Sequence, residues 1–193
     1  GGGIVGINAM QMSLGVGAST TLLDVNNELL NNIKSQYPAI NVAESNENVI
    51  RNLLPMIDIV VGAVLTPGGK PPIVIDRKML ELMQPKSILS DVSIDQGGCF
   101  ETSRATTHGD PTYEIDGIIH YCVRNIPSAV PYTATNALNE ATKPFILKFA
   151  NSGQHGLLND DKLLMALNTF KGKLTNLEVA EAHSLRYTKP KSI

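Results

Sequence analysis

The chain has 193 residues, of which 42% are hydrophobic and 18% are charged, and its formal net charge is −2. These values are close to those of globular proteins and exclude a collagen-like, coiled-coil or disordered chain. The length suffices for one domain, or one domain with a small appendage, and the lack of excess positive charge disfavours nucleic-acid and anionic-membrane partners.

Apolar, β-branched runs alternate with segments of helical periodicity, which is typical of βα units around a parallel sheet. The periodicity of the first segment predicts a helix over residues 4–14, which ends at Gly15 and Gly17. The next predicted elements are a strand over residues 19–25, a helix from the N-cap Asn26 to about Gln36, a short strand near residues 41–43, and a helix that begins at Ser45 and ends at Pro55.

The middle of the chain contains two continuous apolar runs, residues 56–64 and 87–92, which predict central strands covered on both faces. A loop over residues 67–72 and a helix over residues 76–83 connect them. The remaining predicted elements are a long connection over residues 94–111, a strand over 118–123, a helix over 128–149, and two short helices within 159–185 separated by Gly172.

The chain opens with glycines that fit the pattern G-x-G-x-x-G, at Gly1, Gly3 and Gly6, and Asp24 stands at the end of the next predicted strand. Such glycines allow a tight turn and let a pyrophosphate approach a helix N-terminus, whose free N–H groups bind phosphate. A carboxylate at the position of Asp24 accepts hydrogen bonds from an adenosine ribose and repels a 2′-phosphate, which favours NAD over NADP. The alternative for three leading glycines is an artificial tag.

A fingerprint of this kind normally follows a strand, and none precedes Gly1. Without it, the strands near residues 19–25 and 58–64 lack a shared neighbour, and each unpaired ladder group costs about 1–3 kcal/mol when buried. We therefore expect an α/β fold, namely a Rossmann-type doubly wound parallel sheet lacking its first strand, followed by C-terminal helices of a second domain. The chain is expected to be the C-terminal part of a longer one; the alternative is that a partner supplies the strand.

A second candidate constellation leaves the carboxyl end of the predicted strand at residues 87–92. Asp95 stands there with Gly97 and Gly98 close behind it, and ligands of open α/β sheets bind outside such strand ends. The alternative is that Asp95 only caps a turn in which the two glycines supply positive φ. Residues 121–131 also leave a strand end and would bring Asn125 and backbone groups to the same crevice.

Together these motifs resemble the alanine dehydrogenase family, from Gly1 to about Tyr187. The resemblance rests on the glycine fingerprint, on Asp24, and on the segments at residues 62–68 (GAVLTPG), 95–101 (DQGGCFE), 106–113 (TTHGDPTY) and 120–127 (HYCVRNIP). The stretch 91–131 is its most specific part. The proton-translocating transhydrogenase shares the fingerprint, but its counterpart of the DQGG segment differs, which makes it the weaker match.

The resemblance implies an NAD-dependent oxidoreductase that interconverts L-alanine with pyruvate and ammonia by hydride transfer between the substrate Cα and the nicotinamide. It implies that Gly1, Gly3 and Gly6 hold the pyrophosphate and that Asp24 holds the adenosine ribose. The other cofactor-binding residues implied by motif are Val64 and Leu65 along the nucleotide crevice, Ile94 and Asp95 beside the nicotinamide ribose, and Asn125 and Ile126 on the nicotinamide side. Asp95 is the one catalytic candidate, because its carboxylate would orient the substrate and stabilise an iminium-like transition state.

The family's substrate-binding arginine and lysine and its acid/base histidine belong to the region before the fingerprint and have no counterpart here. His108 and His120 are therefore expected to fix loops by hydrogen bonds. The resemblance divides the chain into an NAD-binding domain over residues 1–127, incomplete at its N-terminus, and a helical return segment over residues 128–193 that belongs to the substrate domain. It implies a homo-hexamer, and the chain alone is expected to be inactive.

Two hypotheses follow: the NAD-binding portion of an alanine dehydrogenase, or alternatively a catalytically inactive NAD(H)-binding module or transhydrogenase-like nucleotide-binding subunit. Cys99 and Cys122 form no CxxC motif, the four histidines have no ligand spacing, and no apolar run reaches the roughly 20 residues of a membrane-spanning helix. These features and the lack of a signal-peptide pattern predict reduced thiols, no metal site and a cytoplasmic location.

Overall fold

The computed structural model describes residues 1–192, except for the side chains of Gln154 and His155. His155, one of the four scattered histidines, therefore lies outside the described side chains. The chain forms two compact units, of which the first comprises Gly1–Thr66 and Lys70–Ile126. The second comprises Pro67–Gly69 and the chain from Pro127 onward.

The first unit alternates helices and strands as the sequence predicts. Its α-helices and strands are α1 (Ile4–Gly15), β1 (Thr21–Asp24), α2 (Asn27–Gln36), β2 (Asn41–Glu44), α3 (Glu47–Leu53), β3 (Ile59–Gly62), β4 (Ile88–Asp91), β5 (Thr112–Ile115) and β6 (Ile118–Tyr121). Its 3₁₀ helices lie at Leu54–Met56, Arg77–Leu82 and Val92–Gln96, and a further one at Ile126–Ala129 leads into the second unit. The predicted helix at residues 76–83 is thus a 3₁₀ helix.

Asparagine side chains start two of these helices. Asn26 accepts a hydrogen bond of 3.0 Å from the N–H of Leu29, which confirms it as the N-cap of α2. Asn46 caps α3 in the same way through the N–H of Val49, so the start predicted at Ser45 is one residue early. The α-helix ends at Leu53, just before Pro55 as predicted, and Pro55 stands in the first turn of the 3₁₀ helix that follows, where no N–H is required.

The strands of the first unit form two sheets. β1 and β2 are parallel, and the second sheet has the order β3-β4-β6-β5. This sheet is parallel except for β5, an edge strand that runs antiparallel to β6 and that was not among the predicted elements. A two-residue turn makes the reversal, with Asp116 at φ 51° and Gly117 at φ 83°.

A space separates β1 from β3. Within residues 1–192, β1 is paired with β2 alone and β3 with β4 alone. Gly2 lies at the carboxyl end of β1, where its N–H donates to Asp24 Oδ2 at 2.6 Å, and a Cβ added to Gly1 would lie 2.3 Å from the carbonyl oxygen of Ala63, next to the end of β3. A parallel strand that led into Gly1 would therefore lie between the two sheets, in the order of a doubly wound fold. The predicted Rossmann-type α/β fold is confirmed.

Two hydrophobic clusters support these sheets. One packs α1 and α2 against β1 and β2 through Met10, Leu22, Leu30, Ile33 and Ile40. The other lies around β4 and includes Leu54, Ile75, Met79, Leu80, Leu89, Cys99, Phe100 and Ile118. Gly62 is required at the end of β3, because an added Cβ would lie 2.5 Å from Cys99 Sγ and 2.6 Å from the Phe100 ring. The loop after β4 therefore packs directly on the β3 backbone.

The second unit is mainly helical. Its elements are α4 (Pro131–Asn159), α5 (Asp161–Met165), β7 (Thr169–Phe170), β8 (Lys173–Leu174) and α6 (Leu177–Ala182). α4 contains Pro144 and is interrupted by a kink at the non-helical Gly153, so its first part agrees with the helix predicted over residues 128–149 and a further helical segment follows the kink. The two short helices predicted near the C-terminus are confirmed as α5 and α6, with a hairpin at Gly172 between them. In the part of the chain that the structure describes, no helix meets the length and apolarity that crossing a membrane requires.

Candidate functional site

The glycine fingerprint forms a tight turn that leads into α1. A Cβ added to Gly6 would lie 1.7 Å from the carbonyl oxygen of Gly1, whereas a Cβ added to Gly3 would meet nothing within 4 Å. Gly6 is therefore required by packing within the turn, Gly1 is required by its contact with Ala63, and Gly3 borders open space. No side chain among residues 1–192 caps the N-terminus of this 12-residue helix, so its first N–H groups face that space. The packed turn contradicts the artificial-tag alternative.

Asp24 directs its carboxylate at the same turn. Oδ2 accepts the hydrogen bond from Gly2, and Oδ1 accepts one of 2.9 Å from the N–H of Asn26. Partial burial alone would raise the pKa of Asp24, but these hydrogen bonds, together with the positive charge at the amino group of Gly1, outweigh it and hold the pKa below its ordinary value. The side chain is therefore ionised at neutral pH. The role of Gly2 was not predicted, and its one signal in the sequence is its position between two fingerprint glycines.

The structure brings Asp95 and Asn125 together from two different strand ends. Asp95 lies in the 3₁₀ helix after β4, and both of its carboxylate oxygens are 3.2 Å from the N–H of Asn125, which follows β6. Asn125 has a φ of 49°, so its backbone turns in the left-handed region. Gly97 and Gly98 have positive φ, as the turn alternative requires, but the Asp95 carboxylate accepts from Asn125, a distant segment, and the carboxylate that accepts from this turn is that of Asp91.

Val64 is tied to the loop after β4 by a residue that the sequence analysis did not single out. Ser93 Oγ accepts a hydrogen bond of 3.0 Å from the Val64 N–H and donates one of 2.7 Å to the Val64 carbonyl. Leu65, the next residue, is 71% exposed. The Ile94 side chain is buried, so the contact with the nicotinamide ribose expected of this residue could be made only by its backbone atoms. Ile126, half-buried, directly follows Asn125.

His120 fixes a loop, as predicted. Its ring is fully buried, Nδ1 lies 3.0 Å from the Ile118 carbonyl oxygen, and Nε2 lies 2.7 Å from Thr102 Oγ1. Because a carbonyl only accepts, Nδ1 carries the proton and Nε2 accepts from the hydroxyl. Burial lowers the pKa of His120, which keeps the ring neutral. His108 Nε2 lies 3.5 Å from the carbonyl oxygen of Asn125, the residue whose N–H donates to Asp95.

The sulfur and metal chemistry of the first unit is limited. Cys99 and Cys122 are free and buried. Burial, followed by the nearby Asp91 carboxylate, raises the pKa of Cys99 to about 12, so its thiol is protonated and unreactive at neutral pH. Within the described residues, no three His, Cys, Asp or Glu side chains come together in a way that could hold a metal ion.

These contacts form a continuous row along the carboxyl ends of the strands. The row runs from Asp24 through the glycine turn to the end of β3, where Ser93 links Val64 to the loop that carries Asp95. It has the Asp24 carboxylate at one end, the uncapped N-terminus of α1 next to it, and the exposed carboxylate of Asp95 at the other end. An arrangement of this kind fits an elongated ligand that has phosphates in the middle and hydroxyl groups near the end.

Comparison with curated proteins gives relatives over nearly the whole chain. Alanine dehydrogenase of Halomonas elongata is 46% identical over 199 residues, which cover 100% of this chain and 53% of that protein. Alanine dehydrogenase of Methanococcus maripaludis is 45% identical over 191 residues, covering 97% of this chain and 51% of that protein. The chain therefore spans about half the length of the curated relatives it matches.

Solved structures give the same fold. An L-alanine dehydrogenase superposes with a TM-score of 0.84 at 39% identity, covering 95% of this chain and 51% of the other. A transhydrogenase from Sinorhizobium meliloti superposes with a TM-score of 0.72 at 20% identity, covering 92% of this chain and 48% of the other, which is a likeness of fold alone. Residues 1–177 match the family model described as alanine dehydrogenase/PNT, C-terminal domain, and the chain therefore belongs to that family.

Proposed function

We propose that this chain is the NAD-binding portion of an alanine dehydrogenase, which interconverts L-alanine, NAD and water with pyruvate, ammonia and NADH. The observation that carries the proposal is the hydrogen bond from Gly2 to the ionised Asp24, which joins a ribose-binding carboxylate to the glycine turn at the α1 N-terminus. The identity of 43–46% to proteins named alanine dehydrogenase supports the choice of reaction.

The residues present fit a dinucleotide. The space beside Gly3 lies at the uncapped N-terminus of α1, where free N–H groups and the helix dipole favour a pyrophosphate held between Gly1, Gly3 and Gly6. Each oxygen of Asp24 accepts one N–H in the structure and retains a lone pair for a ribose hydroxyl. Its negative charge would repel a 2′-phosphate, which supports NAD rather than NADP.

The other assigned residues line the nicotinamide end. Val64, Leu65, the Ile94 backbone, Asn125 and Ile126 would flank the nucleotide, and Asp95 would face the substrate. When bound, NAD supplies the hydride acceptor of the reaction. Asp95, held by the N–H of Asn125, would orient the substrate's nitrogen and stabilise the positive charge that develops there. Binding of the substrate carboxylate and proton transfer are assigned to the half of the relatives' length that this chain does not span.

The proposal extends to organisation and location. We assign residues 1–127 to an NAD-binding domain and residues 128–193 to a return segment of a substrate domain. Large exposed apolar side chains, such as Ile4 and Met12 on α1 and Tyr132 and Phe145 on α4, support burial against further protein surface, and the family resemblance makes a homo-hexamer the proposed assembly. The two free buried thiols fit a reducing compartment, which supports the cytoplasm.

A binding and turnover experiment on the full-length gene product tests the proposal. NADH fluorescence should saturate, NADPH should bind about tenfold or more weakly because of the Asp24 charge, and L-alanine should reduce NAD. Light scattering on the same sample reports the oligomeric state. Saturable NADH binding without alanine oxidation would favour the non-catalytic NAD(H)-binding module, and failure to bind either nucleotide would remove the proposed site altogether.

A further inference from the structure

Asp91, at the carboxyl end of β4, is a fully buried carboxylate that the proposed function does not use. Oδ1 accepts a hydrogen bond of 3.0 Å from the N–H of Ser93. Oδ2 accepts hydrogen bonds of 2.8 and 3.3 Å from the N–H groups of Cys99 and Phe100, and one of 2.6 Å from Ser103 Oγ. The Cys99 thiol lies 3.5 Å from Oδ1.

The donors come from both ends of one loop, residues 92–103, so a single carboxylate closes this loop upon itself. No ion pair holds Asp91 within residues 1–192, and its charge is balanced by N–H and hydroxyl dipoles. The wrapping is tight at Gly98, which has φ 84° and where an added Cβ would lie 2.8 Å from Asp91 Oδ2 and 2.9 Å from Ser103 Cβ. The loop shape is therefore fitted to this carboxylate.

The same loop carries both contacts that the proposed site needs at its nicotinamide end. Ser93, whose N–H is held by Asp91, clamps the Val64 backbone through its hydroxyl. Asp95, two residues further on, meets the N–H of Asn125. A change in how Asp91 holds the loop would move both contacts together.

We propose that Asp91 is the positioning residue that sets the geometry of Asp95 and of the Val64 backbone by closing residues 92–103 around its carboxylate. This inference rests on the proposed function for its catalytic readout. Asp91 is completely buried and so touches no ligand itself. Both carboxylate oxygens of Asp91 accept hydrogen bonds, so every group around them is a donor. An asparagine would replace one of these oxygens by an NH₂ group, which would then face donors instead of acceptors.

The test compares Asp91→Asn with Leu89→Val in the full-length protein. Leu89 is equally buried in the same strand and packs in the hydrophobic cluster that also contains Cys99 and Phe100, so its truncation destabilises the same region without removing any hydrogen bond to the Asp91 carboxylate. At temperatures where each variant is folded, kcat for alanine oxidation should fall about 100-fold in Asp91→Asn, a loss typical of a catalytic group displaced by about 1 Å, and should change less than about twofold in Leu89→Val.

Hydrogen exchange supplies a readout independent of turnover. The Cys99 and Phe100 amides should exchange about tenfold faster or more in Asp91→Asn and keep their rates in Leu89→Val. If Asp91→Asn does not fold, Ser103→Ala tests the positioning role of Asp91 in its place, because it removes one hydrogen-bond donor to the Asp91 carboxylate. We expect it to accelerate the same amides and to lower kcat by about 3–10-fold, less than Asp91→Asn, because the three N–H donors to the carboxylate remain and the loop is displaced less.

Failure of this inference differs from failure of the proposed function. The positioning role is overturned if Asp91→Asn folds and its kcat and loop exchange rates equal those of the unchanged protein. If Asp91→Asn does not fold, the same result in Ser103→Ala overturns it. An unchanged protein that binds NADH but does not oxidise alanine contradicts the proposed function. In that case the role of Asp91 is tested by the exchange rates of the loop amides and by NADH affinity. Because Asp91 holds the loop that contacts Val64, NADH affinity should weaken in Asp91→Asn but not in Leu89→Val.

Discussion

Three aspartates line the row of strand ends, and each is held by backbone N–H groups. Asp24 is half-buried and accepts from Gly2 and Asn26. Asp91 is fully buried and accepts from the loop after β4. Asp95 is exposed and accepts from Asn125. Backbone donors cannot change rotamer as lysine or arginine side chains can. The direction of each negative charge is therefore fixed by the main chain, and substitutions that bend the main chain should act like substitutions of the acids.

We expect Asp24→Ala to weaken NADH binding about tenfold or more, because hydrogen bonds to a charged acceptor contribute about 1.5–3 kcal/mol. Glu44→Ala is the matched control, since Glu44 is the register partner of Asp24 on β2 and its carboxylate makes no hydrogen bond to the glycine turn. Fluorescence titration measures both affinities. Equal NADH affinity in Asp24→Ala and the unchanged protein would remove Asp24 from the site.

The glycines of the turn should separate binding from stability. Gly6→Ala should lower the free energy of unfolding, because its Cβ would collide with the Gly1 carbonyl. Gly3→Ala should leave stability unchanged but weaken NADH binding, because the methyl group would occupy the open space assigned to pyrophosphate. Gly15→Ala, in open space at the far end of α1, is the control and should add about 0.5–1 kcal/mol of stability. Undiminished NADH affinity in Gly3→Ala would contradict the assignment of that space.

His120 should make stability depend on pH. Burial lowers its folded-state pKa below the ordinary value of 6.5, so below pH 6.5 the unfolded chain binds more protons than the folded one. The stabilisation from neutral His120 is complete above that pH and is lost as the pH falls through the folded-state pKa. Urea unfolding across this range should show the decline, and His120→Gln should reduce its slope. An equal slope in both proteins would contradict a depressed pKa.

At the scale of elements, helices and central strands were predictable because local signals agree with the tertiary structure. Asn26 caps α2 as expected, and the apolar run at residues 87–92 forms the central strand β4. The run at residues 56–64 forms β3, which was also predicted to be central but pairs with β4 alone in residues 1–192. The 3₁₀ character of Arg77–Leu82 was not predictable, because apolar spacing alone does not separate a 3₁₀ from an α-helix over six residues. The Asp91 network was missed for another reason, since its donors are scattered along an irregular loop without periodicity.

The β5–β6 hairpin had a signal that the sequence analysis did not use. Asp116-Gly117 lies between Ile115 and Ile118, and a DG pair flanked by apolar residues is a strong hairpin pattern. β5 itself is a short edge strand with alternating exposure, so it lacks the continuous apolar run of the central strands. Its Tyr113 stacks on His120 at 4.9 Å between ring centroids, which links this edge to the buried histidine.

Gly117→Ala should therefore destabilise the first unit by about 1 kcal/mol, because alanine at positive φ is strained. Gly109→Ala is the matched control, since Gly109 has no positive φ and an added Cβ there would meet only Thr107 Oγ1, at 4.0 Å. Chemical denaturation of both variants measures the difference. Equal stability of the two would contradict the left-handed turn.

At the scale of the whole molecule, the sequence predicted the fold and most of the row of strand ends, because the fingerprint and the DQGG segment are local patterns. It did not predict Gly2 or Ser93, which act through contacts between segments distant in sequence. The alanine dehydrogenases it matches are about twice as long, and the proposed reaction needs groups from that additional length. Full activity is accordingly a property to test in the complete polypeptide.

The space between β1 and β3 has a practical consequence. Along that side neither strand is paired with another strand of residues 1–192, and such edges are templates for foreign strands. Expressed by itself, this polypeptide should lose solubility as its concentration rises, and a crystal grown from it should show an intruding extended segment of a neighbouring molecule in that slot.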